Sequence, residues 1–183
     1  MNISRRNFLF GVLRPVRKNM PHKQRGSDFI LRPPGAVTEN RFKVLCEEEC
    51  VDCLKACPPK VIRKNQDSFS PDFMTAYVDI RLGGCDYCED FPCVKACQTG
   101  ALDQSDQRMA QAVLLANCLS KQNQVCEFCL PSCPDHLQAL KLNELGLTFI
   151  DSELCVGCGK CVSRCFLTPK AIGLNPLKKL KDK

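Results

Sequence analysis

The chain has 183 residues, with 26 Lys or Arg against 20 Asp or Glu, no Trp, two Tyr and sixteen Cys. One ordinary domain fits that length, but so few aromatic side chains leave little from which to build an ordinary hydrophobic core, and no stretch approaches the about 18 consecutive apolar residues of a membrane-crossing helix. The formal charge of +6 comes without interleaved aromatics, so it gives no reason to expect a nucleic-acid partner.

The first segment, residues 1–41, reads as a basic arm. Ser4-Arg5-Arg6-Asn7-Phe8-Leu9-Phe10 resembles the twin-arginine export motif, which makes Arg5, Arg6, Phe8 and Leu9 candidate docking or targeting residues. The apolar run Phe8–Leu13 ends at Arg14-Pro15-Val16-Arg17-Lys18, shorter than the about 7 to 15 residues of a secretory signal. Three readings stay open: a docking peptide kept in the cytoplasm, a weak export signal leading to the periplasm, or a short helix resting on the cytoplasmic membrane. Residues 14–41 read as a linker, extended around Leu31-Arg32-Pro33-Pro34-Gly35-Ala36.

The body, residues 42–177, carries four groups of four cysteines. Cys46, Cys50, Cys53 and Cys57 are spaced C-x3-C-x2-C-x3-C and precede Pro58. An alternating run, Thr75–Ile80, then predicts a strand. It leads into Cys85, Cys88, Cys93 and Cys97, spaced C-x2-C-x4-C-x3-C. Gln107–Leu119 predicts a helix, with Met109, Val113 and Ala116 along one face. The third group, Cys118, Cys126, Cys129 and Cys133, has a long C-x7-C opening and precedes Pro134. A second strand is predicted at Leu147–Asp151, just before Cys155, Cys158, Cys161 and Cys165, spaced C-x2-C-x2-C-x3-C. After the motifs, Ala101-Leu102, Leu137–Leu142 and Ala171–Leu174 supply short apolar segments. Residues 178–183 form a basic tail.

The last spacing is that of bacterial proteins that bind cubane iron–sulfur clusters. Three cysteines two residues apart wrap one cube from a tight loop, and the fourth is turned toward a neighbouring cube, so that motifs work in pairs. Zinc sites instead use two separated C-x2-C pairs, and disulfides at these spacings would close many tiny strained loops. All sixteen cysteines are therefore assigned as ligands of four [4Fe-4S] clusters. His22 and His136, the only histidines, read as surface residues or neighbours of ligands.

Residues 44–169 hold eleven basic and seventeen acidic residues, so that two basic arms flank an acidic body. Each oxidised cubane with four thiolates carries a formal charge of about −2, which brings the loaded protein to about −2 overall. The arms suit an acidic partner, peripheral contact with anionic lipid, or plain solvation. Metal ligation has to replace much of the missing core, so the metal-free protein is expected to be largely unfolded. No activated nucleophile pair, open metal site or phosphate-binding glycine loop is visible, and Gly157 and Gly159 read as giving a ligand loop room to turn. An electron carrier or accessory subunit is expected rather than an enzyme.

The stretches LRPPGAVTENRF, CDYCEDFPCVKACQTGALD, RMAQAVLLANCLSKQNQVCEFCLPSCP and ELCVGCGKCVSRCFLTPKAI resemble the ferredoxin-type proteins of the periplasmic nitrate reductase and methylamine utilisation systems, the NapG/MauM family. The resemblance runs from about Leu31 to Leu177. It implies an α+β fold of tandem bacterial-type 2[4Fe-4S] ferredoxin units, small, with a cluster-built core and little regular secondary structure. It also implies electron transfer between a quinol-oxidising membrane partner and a reductase. The start of the chain looks more like NapF, a cytoplasmic four-cluster relative linked to nitrate reductase maturation. Two functions follow: an electron-transfer subunit, or an accessory factor that docks on a molybdoenzyme before export. Residence in the cytoplasm or on the cytoplasmic membrane is expected, with export to the periplasm as the alternative. The extra residue in Cys46-Glu47-Glu48-Glu49-Cys50 is expected to distort the first site. By analogy with four-cluster subunits of molybdoenzymes, the motifs pair in a nested order, second with third and first with fourth; sequential pairing is the alternative.

Overall fold

A computed structural model describes residues 30–46 and 49–177. The candidate targeting residues Arg5, Arg6, Phe8 and Leu9, along with His22, Glu47, Glu48 and the tail from residue 178, lie outside the described residues.

Among the described residues, four short helices each serve a cysteine motif. Helix α1 (Glu39–Leu45) carries Glu39 in its first turn and Lys43 in its last, the signs favoured at those ends by the helix dipole, and it delivers Cys46 at its C-terminal boundary. Helix α2 (Asp52–Ala56) holds Cys53. Helix α3 (Pro92–Lys95) starts on a proline, tolerated there because the first N–H has no helical partner, and holds Cys93. Helix α4 (Lys160–Arg164) holds Cys161. In the third motif a 3-10 turn, Leu130–Ser132, takes the helix's place between Cys129 and Cys133.

These turns explain the C-x3-C step. On a continuous helix, residues four apart share a face. Here the helical turn stops before the fourth cysteine, and Cys57, Cys133 and Cys165 leave it in extended conformations with ψ of 112°, 129° and 125°. The third thiol thus faces its own loop, and the fourth is directed elsewhere.

Three two-stranded antiparallel sheets join the motifs among the described residues. Strand β1 (Ile62–Lys64) pairs with β2 (Ala76–Val78), Ile62 facing Val78, between the first and second motifs. Strand β4 (Leu140–Leu142) pairs with β5 (Thr148–Ile150) between the third and fourth. The β4–β5 turn is held by Asn143, whose side-chain oxygen accepts from the N–H groups of Leu145 and Leu147. Strand β3 (Ala110–Leu114) pairs with β6 (Ile172–Pro176). A single bridge between Ala36 and Leu102 occupies the matching place in the N-terminal half. The same element order therefore occurs twice, once on either side of residue 104.

Three local expectations are corrected. The segment Gln107–Leu119 is not a helix: Ala110–Leu114 is a strand, followed by a 3-10 turn at Leu119–Gln122. Its alanines favour a helix locally, but burial alternates from buried Ala110 to part-exposed Gln111 to buried Ala112, and pairing with β6 decides the conformation. The proline run is not an extended linker either. Leu31–Ala36 is buried throughout, turns at Pro33–Ala36, and packs on the first half. The predicted strand at Thr75–Ile80 is shorter than expected, because Ile80–Leu82 turns into a 3-10 helix.

Candidate cluster-binding sites

All sixteen cysteines are free thiols, and cavities between the elements gather twelve of them into three sets of four. One cavity encloses about 310 Å³, mouth included, and is lined by Cys46, Cys50, Cys53 and Cys97, with Phe42, Ala76 and Leu102 among its apolar walls. A second, of about 350 Å³, is lined by Cys155, Cys158, Cys161 and Cys133. A third, of about 330 Å³, is lined by Cys118, Cys126, Cys129 and Cys165. The remaining four, Cys85, Cys88, Cys93 and Cys57, influence one another electrostatically. Burial pushes Cys85 up to about 12 and Cys93 up to about 11, and Cys57 contributes to both. Cys88 is raised by burial, then by Asp86, with Cys57 contributing again.

Each set thus combines three cysteines of one motif with the fourth cysteine of another, and the exchange is sequential. Cys97 lines the first motif's cavity and Cys57 sits with the second motif; Cys165 lines the third motif's cavity and Cys133 the fourth's. The nested pairing expected by analogy is overturned. The reason is topological: the β1–β2 hairpin folds the second motif back onto the first, and the β4–β5 hairpin does the same for the fourth and third, so helix α2 packs on α3 and α4 on the 3-10 turn at Leu130–Ser132. The inserted residue does not withdraw a thiol either, since both Cys46 and Cys50 reach their cavity.

The donor sets fit [4Fe-4S] clusters. Among the described residues no three His, Cys, Asp or Glu side chains converge as the ligand shell of a single metal ion. The thiols are instead spread around cavities of nearly equal size, as a cube offering a separate iron to each sulfur requires. Burial pushes Cys53 up to about 12, with Cys46, Cys50 and Cys97 adding to the effect, and it pushes Cys129 up to about 11. Four thiolates crowded into one apolar cavity are tenable only with a compensating metal charge.

The backbone presents N–H groups to the sulfurs. The N–H of Ala76 donates to Cys46 Sγ at 3.4 Å, that of Leu102 to Cys97 Sγ at 3.3 Å, that of Tyr87 to Cys85 Sγ at 3.3 Å and that of Ala112 to Cys155 Sγ at 3.4 Å. Lys64 places its ammonium 3.7 Å from Cys46 Sγ. Such bonds stabilise negative charge on sulfur and tune redox potential. Gly157, at φ +72°, lets the fourth motif lie against β3, since a Cβ there would come within 2.3 Å of the Ala110 carbonyl. His136 is exposed and stacks against Tyr87.

A second feature escaped the sequence reading. Arg32 is buried under the first site, with its guanidinium 4.7 Å from the centre of the Phe42 ring. It donates to both carboxylate oxygens of Glu39, to Asp72 at 2.8 Å, to Thr75 Oγ1 at 2.8 Å and to the Ala76 carbonyl at 2.9 Å. Ala76 is the residue whose N–H reaches Cys46, so this network fixes one wall of the first cavity. The available signal was a lone charge among Leu31, Pro33 and Pro34.

Comparison with known proteins points to the same iron–sulfur chemistry. The 4Fe-4S binding domain family matches residues 148–166, which span the fourth motif. The ferredoxin-type protein NapG of Escherichia coli is 36% identical over 170 residues, covering 84% of this chain and 73% of its own. The methylamine utilization ferredoxin-type protein MauM of Methylophilus methylotrophus is 36% identical over 161 residues, covering 80% and 71%. NapG of Haemophilus influenzae is 31% identical over 185 residues, covering 91% and 65%.

Proposed function

The chain belongs to the NapG/MauM family of ferredoxin-type iron–sulfur proteins, and from that premise we propose that it is an electron carrier with four [4Fe-4S] clusters arranged as two tandem ferredoxin units. Its partners would be a quinol-linked membrane protein on one side and a reductase system, such as a periplasmic nitrate reductase, on the other. A bound cubane gives up or accepts one electron. The chain's part is to hold it by four thiols, to exclude water with apolar walls, and to set its potential through N–H groups and nearby charge.

The observation that carries this reading is the gathering of twelve cysteines around three cavities, four to each, while Cys57 of the remaining four acts on the other three. Anaerobic iron and acid-labile sulfide analysis, followed by EPR through a potentiometric titration, tests it. About sixteen iron per chain with cubane signals is expected. About twelve would mean that one set holds no cube, and two-iron signals would overturn the cubane assignment.

A further inference from the structure

The two ferredoxin-like halves touch where the loop of the second motif lies against the loop of the fourth. The Cys85 N–H donates to the Cys158 carbonyl at 2.8 Å, linking a cysteine of one set directly to a cysteine of another. Lys160, between Cys158 and Cys161, forms an ion pair at 2.5 Å with Asp86, between Cys85 and Cys88. The approach is backbone to backbone: a Cβ on Gly84 would stand 2.6 Å from the Lys160 nitrogen and 2.8 Å from the Gly159 carbonyl carbon. Those atoms cannot yield as a flexible side chain does. Tyr87 adds a stack on His136, with ring centres 6.3 Å apart and planes within 13°.

We propose that the four cysteine sets form one line in the order first, second, fourth, third motif, and that Gly84, Asp86 and Lys160 are the positioning residues of its central joint. This order rests on the reading that each set holds a cluster. The outer steps follow from the shared cysteines, Cys57 and Cys97 in one half and Cys133 and Cys165 in the other. Each transfer along the line moves one electron from a reduced site to the oxidised site beside it, with no bond made and no proton moved. The line ends at the first motif and at the third, where Cys126 lies near exposed Phe128 in sequence and Phe128 packs edge-on against exposed Phe166. A chain of sites joined in this way delivers electrons across the whole molecule; two separate halves would each need their own donor and acceptor.

The test uses the full-length, cluster-loaded protein. In fully reduced wild type, EPR should show spin–spin interaction among more than isolated pairs, and Gly84→Ala should lose the part due to the central contact while keeping its iron. Gly83→Ala is the control: Gly83 also has a positive φ, +120°, but nothing lies within 4 Å of a Cβ there, so it should keep the wild-type interaction. An unchanged spectrum in iron-replete Gly84→Ala, or an equal loss in Gly83→Ala, overturns the proposal. Should Gly84→Ala fail to load, Lys160→Met decides, because it inserts nothing between the loops. Removing a charge shared by two sites should lower two of the four midpoint potentials; a shift confined to one overturns the joint. Fewer than four clusters in wild type would count against the cofactor reading and not against the order.

Discussion

Arg32 shows how a single charge can support a site it does not ligate. It is buried, its partners Glu39 and Asp72 are only partly so, and its removal would leave both carboxylates with Lys43 as the cation beside them. Breaking a fully buried pair costs about 3 kcal/mol or more, and the part exposure of both carboxylates and the presence of Lys43 make the loss here smaller. Arg32→Met is therefore expected to unfold faster in anaerobic denaturant and to lose iron from the first site before the others; Arg32→Lys should recover only part of the loss, because an ammonium cannot replace a planar fork. Uniform iron loss from all four sites would refute this. The same network makes a pH prediction. Burial works against the Asp72 carboxylate, but Arg32, Lys43 and the hydrogen bonds it accepts outweigh that and hold its pKa below the usual value. A depressed folded-state value means that the stabilisation is complete above the unfolded pKa of about 4 and fades as pH falls through the folded one. Asp72→Asn should accordingly be less stable than wild type at neutral pH, and the gap should close below about pH 4. A gap that persists into acid would show that the charge is not its source. None of this was legible in the sequence, because nothing local marks which distant acids a buried arginine will find.

Strand β3 shows the same limit one level up. The spacing of Met109, Val113 and Ala116 on one face reads as a helix, yet the segment's function depends on its being a strand: one edge pairs with β6, and the other presents N–H groups to the fourth motif. The N–H groups of Met109 and Ala110 donate to the Val156 carbonyl, and that of Ala112 to Cys155 Sγ. A helix would have turned those donors inward. Ala112→Pro removes the N–H···S bond without removing a ladder bond to β6, since that N–H points to sulfur. It should lower the midpoint potential of one cluster and leave the other three, as read in a potentiometric EPR titration. No shift at any site would show that the contact does not tune potential. By contrast, the strand at Thr148–Ile150 and the short turns around the cysteines were legible, because alternation and ligand spacing are local patterns.

At the scale of the molecule, the core explains both what could be read and what could not. Of the buried apolar residues among those described, ten are cysteines and seven are alanines, so more than half of the core is thiols and methyl groups. Binding energy at such sites is folding energy, so chelation should abolish the cooperative fold, with loss of dispersion in the amide NMR spectrum; a metal-free chain that keeps its native spectrum would contradict this. The four groups of four cysteines were legible from spacing alone, whereas their partition was not, because the hairpins between the motifs decide which loops meet. Sequential pairing has a consequence that nested pairing lacks. Cys57 belongs to the first motif by sequence but sits with Cys85, Cys88 and Cys93, so Cys57→Ser should perturb the same EPR signal as Cys88→Ser and spare the signal altered by Cys50→Ser. In the other half, Cys133→Ser should alter the signal affected by Cys155→Ser and not the one affected by Cys126→Ser. A Cys57→Ser spectrum that matches Cys50→Ser would mean that the fourth cysteine stays with its own motif. The first half would then be two separate one-cluster loops, with no shared ligand to couple the first site to the second.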